Sequence, residues 1–199
     1  MNDHSDEKLM AAYAAGDERA FEVLFDRMAS RVHGFFLRAF RSPGIADDLM
    51  QETFLRLHRA RRDYQEDLPL SPWLFTIAAR VRIDEWIRRG KSREDADADV
   101  VEGAADSESF AADQATDGTD MTEALRGALD RLPESQRTVL HLHRYEGMTL
   151  AQIASVLGTT EGAVKLRAFR AYDTLRRLLG PLLRSSQPEV STSAEGGLP

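Results

Sequence analysis

Three groups of residues have types and spacings that could do chemistry. In "DDLMQE", Asp47, Asp48, Gln51 and Glu52 crowd onto one stretch of helix, where carboxylates could hold a divalent ion or move protons. No histidine stands at ligand spacing from them, and acidic neighbours on an exposed helix face are more often a solvated or protein-binding surface. In "WLFTIAARVRIDEWIRR", residues 73–89, Arg80, Arg82, Arg88 and Arg89 surround Trp73 and Trp86. Aromatic faces can stack unpaired bases while arginines hold the backbone, although two tryptophans on a helix taken alone belong more often to a core. In "TEGAVKLRAFR", residues 160–170, Thr160, Glu161, Ala163, Lys165, Arg167 and Arg170 lie on the outer face of a short helix. Cations on the first turns of such a helix reach base edges or phosphates in the major groove. The plainer alternative is a helical hairpin with a solvated basic face. His141 and His143 are two residues apart, hence on different sides of a helix with no third ligand nearby, and are read as structural. There is no cysteine, no P-loop, no dinucleotide loop and no nucleophile elbow. The expectation is a binding protein with no catalytic residue, metal or cofactor and no small-molecule substrate.

These groups need helices to carry them, and the apolar periodicity supplies helices almost throughout. A short helix near residues 6–15 stops at Gly16, and Asp17 caps a long one whose Phe21, Leu24, Phe25, Met28, Val32, Phe35 and Phe36 recur at threes and fours. "RSPG" breaks the chain at residues 41–44. A third helix then turns Ile45, Leu49, Phe54 and Leu57 inward and the acidic group outward. "LPLSP" breaks it again, and Ser71 and Pro72 read as N-cap and first-turn proline of a fourth helix over about residues 73–89. Four such helices pack as a small bundle. Further on, helices are predicted over residues 122–132, 134–145 and, after the capping box Thr149/Gln152, up to Gly158. Thr160 caps the last, running to about residue 179. Ala154 is the small residue and Gly158 the turn glycine that a helix-turn-helix needs, with Ile153, Val156, Leu157 and Val164 as the seam.

Charge divides the chain in the same way. The 199 residues sum to −7, but residues 94–120 alone hold ten carboxylates and no base, so the remainder is +3. That stretch is rich in Ala, Asp, Ser, Thr and Gly without helical or strand period and reads as a flexible linker. Residues 121–184 carry a net +4, with six of their ten cations after Thr160. The predicted organisation is all-α: a helical domain over residues 1–93, an acidic linker over 94–120, a helix-turn-helix domain over 121–184 and a polar tail over 185–199. The first residues lack the apolar core of a signal peptide, and no apolar run is long enough to span a bilayer. The expected setting is the cytoplasm, with no membrane insertion.

Taken in order, "DDLMQETFLRLHRA", "PWLFTIAARVRIDEWIRR", the acidic linker and "LPESQRTVLHLHRYEGMTLAQIASVLGTTEGAVKLRAFRAYDTLR" closely resemble the extracytoplasmic-function sigma factors, the two-domain group of the bacterial sigma-70 family. The resemblance implies a region 2-like first domain and a region 4-like second. It implies that Asp47, Asp48, Leu49, Gln51, Glu52 and Phe54 dock core RNA polymerase at its clamp helices, with the flap as a further contact. Trp73, Phe75, Thr76, Arg80, Arg82, Asp84 and Arg88 would hold the minus-10 element of promoter DNA and its melted strand. The helix from Glu161 would enter the minus-35 major groove. An anti-sigma protein is an implied partner, and the linker would thread polymerase channels as a nucleic-acid mimic or act as a plain spacer. Two residues depart from the pattern: the family often has serine where Leu166 stands and a polar residue such as histidine where Phe169 stands. Either could enlarge the seam or shift backbone contacts. A stand-alone helix-turn-helix regulator with an N-terminal sensor domain remains the alternative, and a metal enzyme built on Asp47, Asp48 and Glu52 a third reading.

Overall fold

The computed structural model describes residues 4–90 and 118–185, and all regular structure among them is helical. Helix α1 (Asp6–Ala14) begins where Ser5 Oγ accepts the Lys8 N–H at 3.4 Å. It ends at Gly16, whose φ of 108° suits a residue without Cβ. Helix α2 (Glu18–Phe40) starts as expected on Asp17, whose carboxylate accepts the N–H groups of Arg19 and Ala20 at 3.0 and 3.3 Å. Helix α3 (Pro43–Ala60) opens on its proline, and a 3-10 turn (Arg61–Asp63) leads into the loop before helix α4 (Leu70–Arg88).

The start of α4 differs from the sequence reading. It begins at Leu70, with Pro69 in the N-cap position, and Ser71 is no cap. The Leu70 N–H donates instead to Glu7 Oε1 of α1 at 3.2 Å, and the Ser71 hydroxyl accepts from Arg31 Nη2 at 3.1 Å. A tertiary contact replaces the local cap, because Leu70 is itself buried in the bundle and draws the chain into helix early. Inside the bundle Leu9, Met10, Met28, Val32, Phe36, Leu74 and Phe75 are fully enclosed, while Phe21 and Phe25 pack half-buried against Phe54.

Helix α5 (Gly118–Asp130) begins inside the stretch read as linker, so its residues 118–120 are helical. Residues 94–117 of that stretch, and residues 186–199 of the predicted tail, lie outside the described residues. Helix α6 (Glu134–Arg144) and helix α7 (Leu150–Leu157) follow, then helix α8 (Glu161–Ser185). The capping box is formed: Thr149 Oγ1 accepts the Gln152 N–H at 3.2 Å and the Thr149 N–H donates to Gln152 Oε1 at 2.9 Å. Gly158 ends α7 in the left-handed region at φ 64°. Helix α8 runs past Gly180 and Pro181, further than the predicted end near residue 179, and Pro181 forfeits one helical N–H bond there.

The two halves share one core, which the periodicity of neither half reveals. Helix α4 packs on α7 and α2 on α6, so that Phe35 and Phe75 join Val139, Leu142, Met148 and Ile153 in a continuous apolar cluster. Among the described residues three ion pairs cross the contact, one of them between the exposed side chains of Arg41 and Asp130 at 2.8 Å. Arg82 donates to Glu134 Oε1 at 2.8 Å and to the Thr138 hydroxyl, with both charged side chains nearly excluded from solvent. Arg31 reaches Glu146 at 2.5 Å. His141 sits between Phe35, Phe75 and Tyr145, with Nε2 3.5 Å from Glu146 Oε1.

Removing one member of a buried pair leaves the other uncompensated, so Glu134→Ala is expected to lower the unfolding free energy by about 3 kcal/mol in urea titrations. Replacing Arg82 as well, in Arg82→Met with Glu134→Leu, is expected to recover only part of that loss, because Arg137, which also binds Glu134 at 2.6 Å, still loses its partner. Burial pushes the His141 imidazole below its ordinary range, with Arg38 and Arg82 adding to it and Glu146 opposing. The folded protein then holds fewer protons at this site than the unfolded chain, so this contribution to stability is full above about pH 6.5 and fades as pH falls below it. Burial also raises the Glu146 carboxyl, but His141 and Arg31 outweigh it and hold the group low, so its loss begins only in more acidic solution. Between pH 7.5 and 5.5 the urea midpoint should fall, and His141→Phe should flatten that dependence.

Candidate nucleic-acid and protein interfaces

The helix-turn-helix is assembled as its residues demand. Ile153, Ala154, Val156 and Val164 are buried in the seam and Leu157 is half-buried, with Gly158 turning the chain between α7 and α8. Thr160 Oγ1 accepts the Ala163 N–H at 3.2 Å, fixing the first turn of α8. Thr160, Glu161, Lys165 and Arg170 face solvent, while Ala163 and Arg167 stand half-buried on the flank. The outer face thus carries Glu161 in its first turn and Lys165, Arg167 and Arg170 beyond it, cations that can meet phosphates. Leu166 and Phe169 do not enlarge the seam: they are 48% and 67% exposed.

Helix α4 presents a second face. Trp73, Thr76, Arg80, Asp84 and Arg88 recur at threes and fours and lie along one side. Trp73 packs half-buried against the Tyr64 ring, centroids 5.2 Å apart, and the Thr76 hydroxyl donates to the Pro72 carbonyl at 2.8 Å. Arg80 and Arg88 are exposed, with Arg88 held to Glu85 at 2.7 Å, and Asp84 accepts from Arg56 Nη1 at 2.7 Å. Two members of the expected nucleic-acid set are not on this face. Phe75 is wholly enclosed, edge-on to Phe35 with centroids 5.6 Å apart, and Arg82 is 6% exposed beneath α6. At about 100° per residue both point to the side opposite the Arg80 stripe, into the bundle and the second half.

The acidic face of α3 divides likewise. Asp47, Asp48 and Gln51 are exposed and Glu52 half-exposed, the last bound to Arg56 Nε at 2.7 Å. Asp47 lies 3.4 Å from His33 Nε2. Leu49 and Phe54 turn inward as core residues, in keeping with their apolar period and against the surface role implied for them. Leu55, absent from the sequence reading, stands 43% exposed in their place. It follows Asp48 by two helical turns, so the same spacing that marks the acids could have found it. Among the described residues no three His, Asp or Glu side chains converge as metal ligands. No helix among them is long and apolar enough to cross a membrane.

Three surfaces therefore stand on one frame: carboxylates with Leu55 on α3, an arginine-aromatic stripe on α4 and a cationic helix in the helix-turn-helix. Residues 24–93 match the Sigma-70 region 2 family and residues 122–175 the Sigma-70, region 4 family. The RNA polymerase sigma factor CarQ of Myxococcus xanthus is 37% identical over 175 residues, covering 87% of this chain and 97% of that protein. The ECF RNA polymerase sigma factor SigM of Mycobacterium tuberculosis is 34% identical over 181 residues, covering 91% and 88%. Among solved structures, CnrH in complex with the cytosolic domain of CnrY superposes with a TM-score of 0.60 at 26% identity, covering 92% of this chain and 99% of CnrH. A region 2 match over residues 24–93 removes the sensor domain that a stand-alone regulator would need. With both sigma regions present in order, on a chain that spans nearly all of a 37%-identical sigma factor, the protein belongs to the sigma-70 family as an extracytoplasmic-function sigma factor, which directs RNA polymerase to promoters for transcription initiation.

Proposed function

We propose a division of labour among the three surfaces. Asp47, Asp48, Gln51 and Glu52, with Leu55 among them, dock the clamp helices of core polymerase. Trp73, Thr76, Arg80, Asp84 and Arg88 hold the minus-10 element and its melted strand, the arginines taking phosphates and the tryptophan offering a stacking face. Thr160, Glu161, Ala163, Lys165, Arg167 and Arg170 line the helix that enters the minus-35 major groove. Residues 1–93 and 121–184 act as the two functional units, and the protein makes and breaks no covalent bond. It works in the cytoplasm, where polymerase and promoter are. An anti-sigma protein holds it when idle, a reading supported by the likeness to CnrH, which was solved with the cytosolic domain of CnrY on it.

The observation that carries this assignment is the segregation of exposed charge. Carboxylates gather on the outer face of α3 and cations on α8, with mixed charge on the α4 stripe between. A factor of net charge −7 has little general attraction for duplex DNA, since affinity scales with the phosphates neutralised. Polymerase supplies the missing cations and ties two weak readers together, which raises their joint affinity without new contacts.

The deciding experiment mixes the protein with bacterial core polymerase and maps transcripts. Asp48→Arg is expected to weaken core binding about tenfold, equivalent to ~1.4 kcal/mol, with minus-35 preference intact among the complexes that form. Lys165→Ala should leave core affinity unchanged, weaken minus-35-dependent initiation several-fold and lower the salt slope of promoter binding by about one. Equal loss of core binding and promoter reading in both variants would overturn the division of labour.

A further inference from the structure

We propose that Leu166 and Phe169 are specificity residues, reading the methyl groups of two neighbouring thymines in the upstream promoter element. The inference rests on the minus-35 role assigned above to α8 and adds what that helix selects. Phe169 is the most exposed large apolar side chain among the described residues, at 67%, and Leu166 is 48% exposed. The apolar residues around them on the same helix, Val164, Ala168 and Ala171, are buried. The pair contributes nothing to the seam or core, and two large apolar groups held in water on a cationic helix gain free energy only when something covers them.

Their position says what covers them. Spaced by three, Leu166 and Phe169 share one side of α8. At about 100° per residue they point away from Val164, Ala168 and Ala171, with Lys165 on one flank and Arg170 on the other. Gly162, exposed one turn earlier on the same side, adds no side chain that would hold the helix off. A helix with this section suits a groove with two anionic walls and a partly apolar floor. The cations meet the phosphate strands while the centre meets base edges. A protein surface carrying two anionic ridges that far apart is a less economical match. On the major-groove floor the apolar group is the thymine C5-methyl, and cytosine, adenine and guanine offer polar edges. Phe169 lies about 12 Å along the helix from Glu161, within the depth a recognition helix uses, and its axial offset of about 4.5 Å from Leu166 exceeds the base-pair step of about 3.4 Å by only about 1 Å, so the two side chains fall on neighbouring base pairs.

The test uses holoenzyme formed from the full chain and bacterial core polymerase, transcribing a pool of templates with a randomised upstream element. Thymines in the selected sequence are then replaced singly by uracil, which lacks only the methyl group. Two neighbouring positions should show about a fourfold loss of initiation with uracil, the equivalent of one buried methyl or ~0.8 kcal/mol. The Leu166→Ser/Phe169→Gln double variant should use thymine and uracil templates equally. Its urea midpoint and core affinity should match the parent, since neither side chain is packed. Uracil tolerated at every position, or an undiminished uracil penalty in the double variant, would overturn the proposal. So would an unchanged selected sequence in the double variant together with loss of binding to a partner protein. Start-site-specific transcription absent from every template, with core binding retained, would instead overturn the minus-35 role of α8 itself.

Discussion

The buried contact between Arg82 and Glu134 sets the geometry on which the other surfaces depend. A guanidinium and a carboxylate taken out of water lose hydration that one ion pair does not restore, so such a pair persists only when its remaining hydrogen-bonding capacity is met. Here Glu134 is also held by Arg137 at 2.6 Å, Arg82 donates to Thr138, and the guanidinium lies over the Phe35 ring at 5.4 Å. The cluster fixes α6 on α4. Helix α7 lies along α4 as well, and the Gly158 turn sets α8 against α7, so the recognition helix is positioned through a contact whose arginine stands some 80 residues before it.

That arrangement explains why the two surfaces proposed for nucleic acid look different. Helix α4 is enclosed on most of its circumference, by the bundle on one side and by α6 and α7 on another, which leaves a narrow stripe for Trp73, Arg80 and Arg88. Helix α8 is covered along one side only and shows a broad face. In the docked arrangement Arg82 serves the contact between the halves, and contact with a strand by this residue requires that contact to open.

Much of this was legible in the residues. The Asp17 cap, the Thr149/Gln152 capping box, the Gly158 turn and the inward faces of α2 and α7 are local devices, each set within a few residues, and each is found where the spacing predicts. The departures are not local. Ser71 lost its capping role to Glu7, which lies some 60 residues earlier in sequence, and the docking of the halves depends on contacts across the linker. The expected site residues that lie buried have a different cause. Phe75, Arg82, Leu49 and Phe54 entered through family motifs, which run continuously along the chain and mix residues from both sides of a helix. Helical period alone would have separated them: Arg80 and Arg82 differ by about 200° around α4, so both cannot face the same strand.

One side chain joins surfaces that the motifs treat as separate. Arg56 of α3 holds Glu52 on its own helix at 2.7 Å and Asp84 on α4 at 2.7 Å, so the acidic face and the arginine-aromatic stripe meet through a single guanidinium. All three groups are partly exposed, and such bridges add little to stability. Their consequence is geometric. A cation inserted between Glu52 and Asp84 keeps carboxylates of the two faces from repelling one another and sets the offset between α3 and α4 along their packed length. Any partner that draws Glu52 away from Arg56 leaves the guanidinium to Asp84 alone, and the local charge beside Arg80 and Arg88 changes with it. The docking proposed for α3 and the strand contact proposed for α4 are therefore electrostatically adjacent on a shared frame.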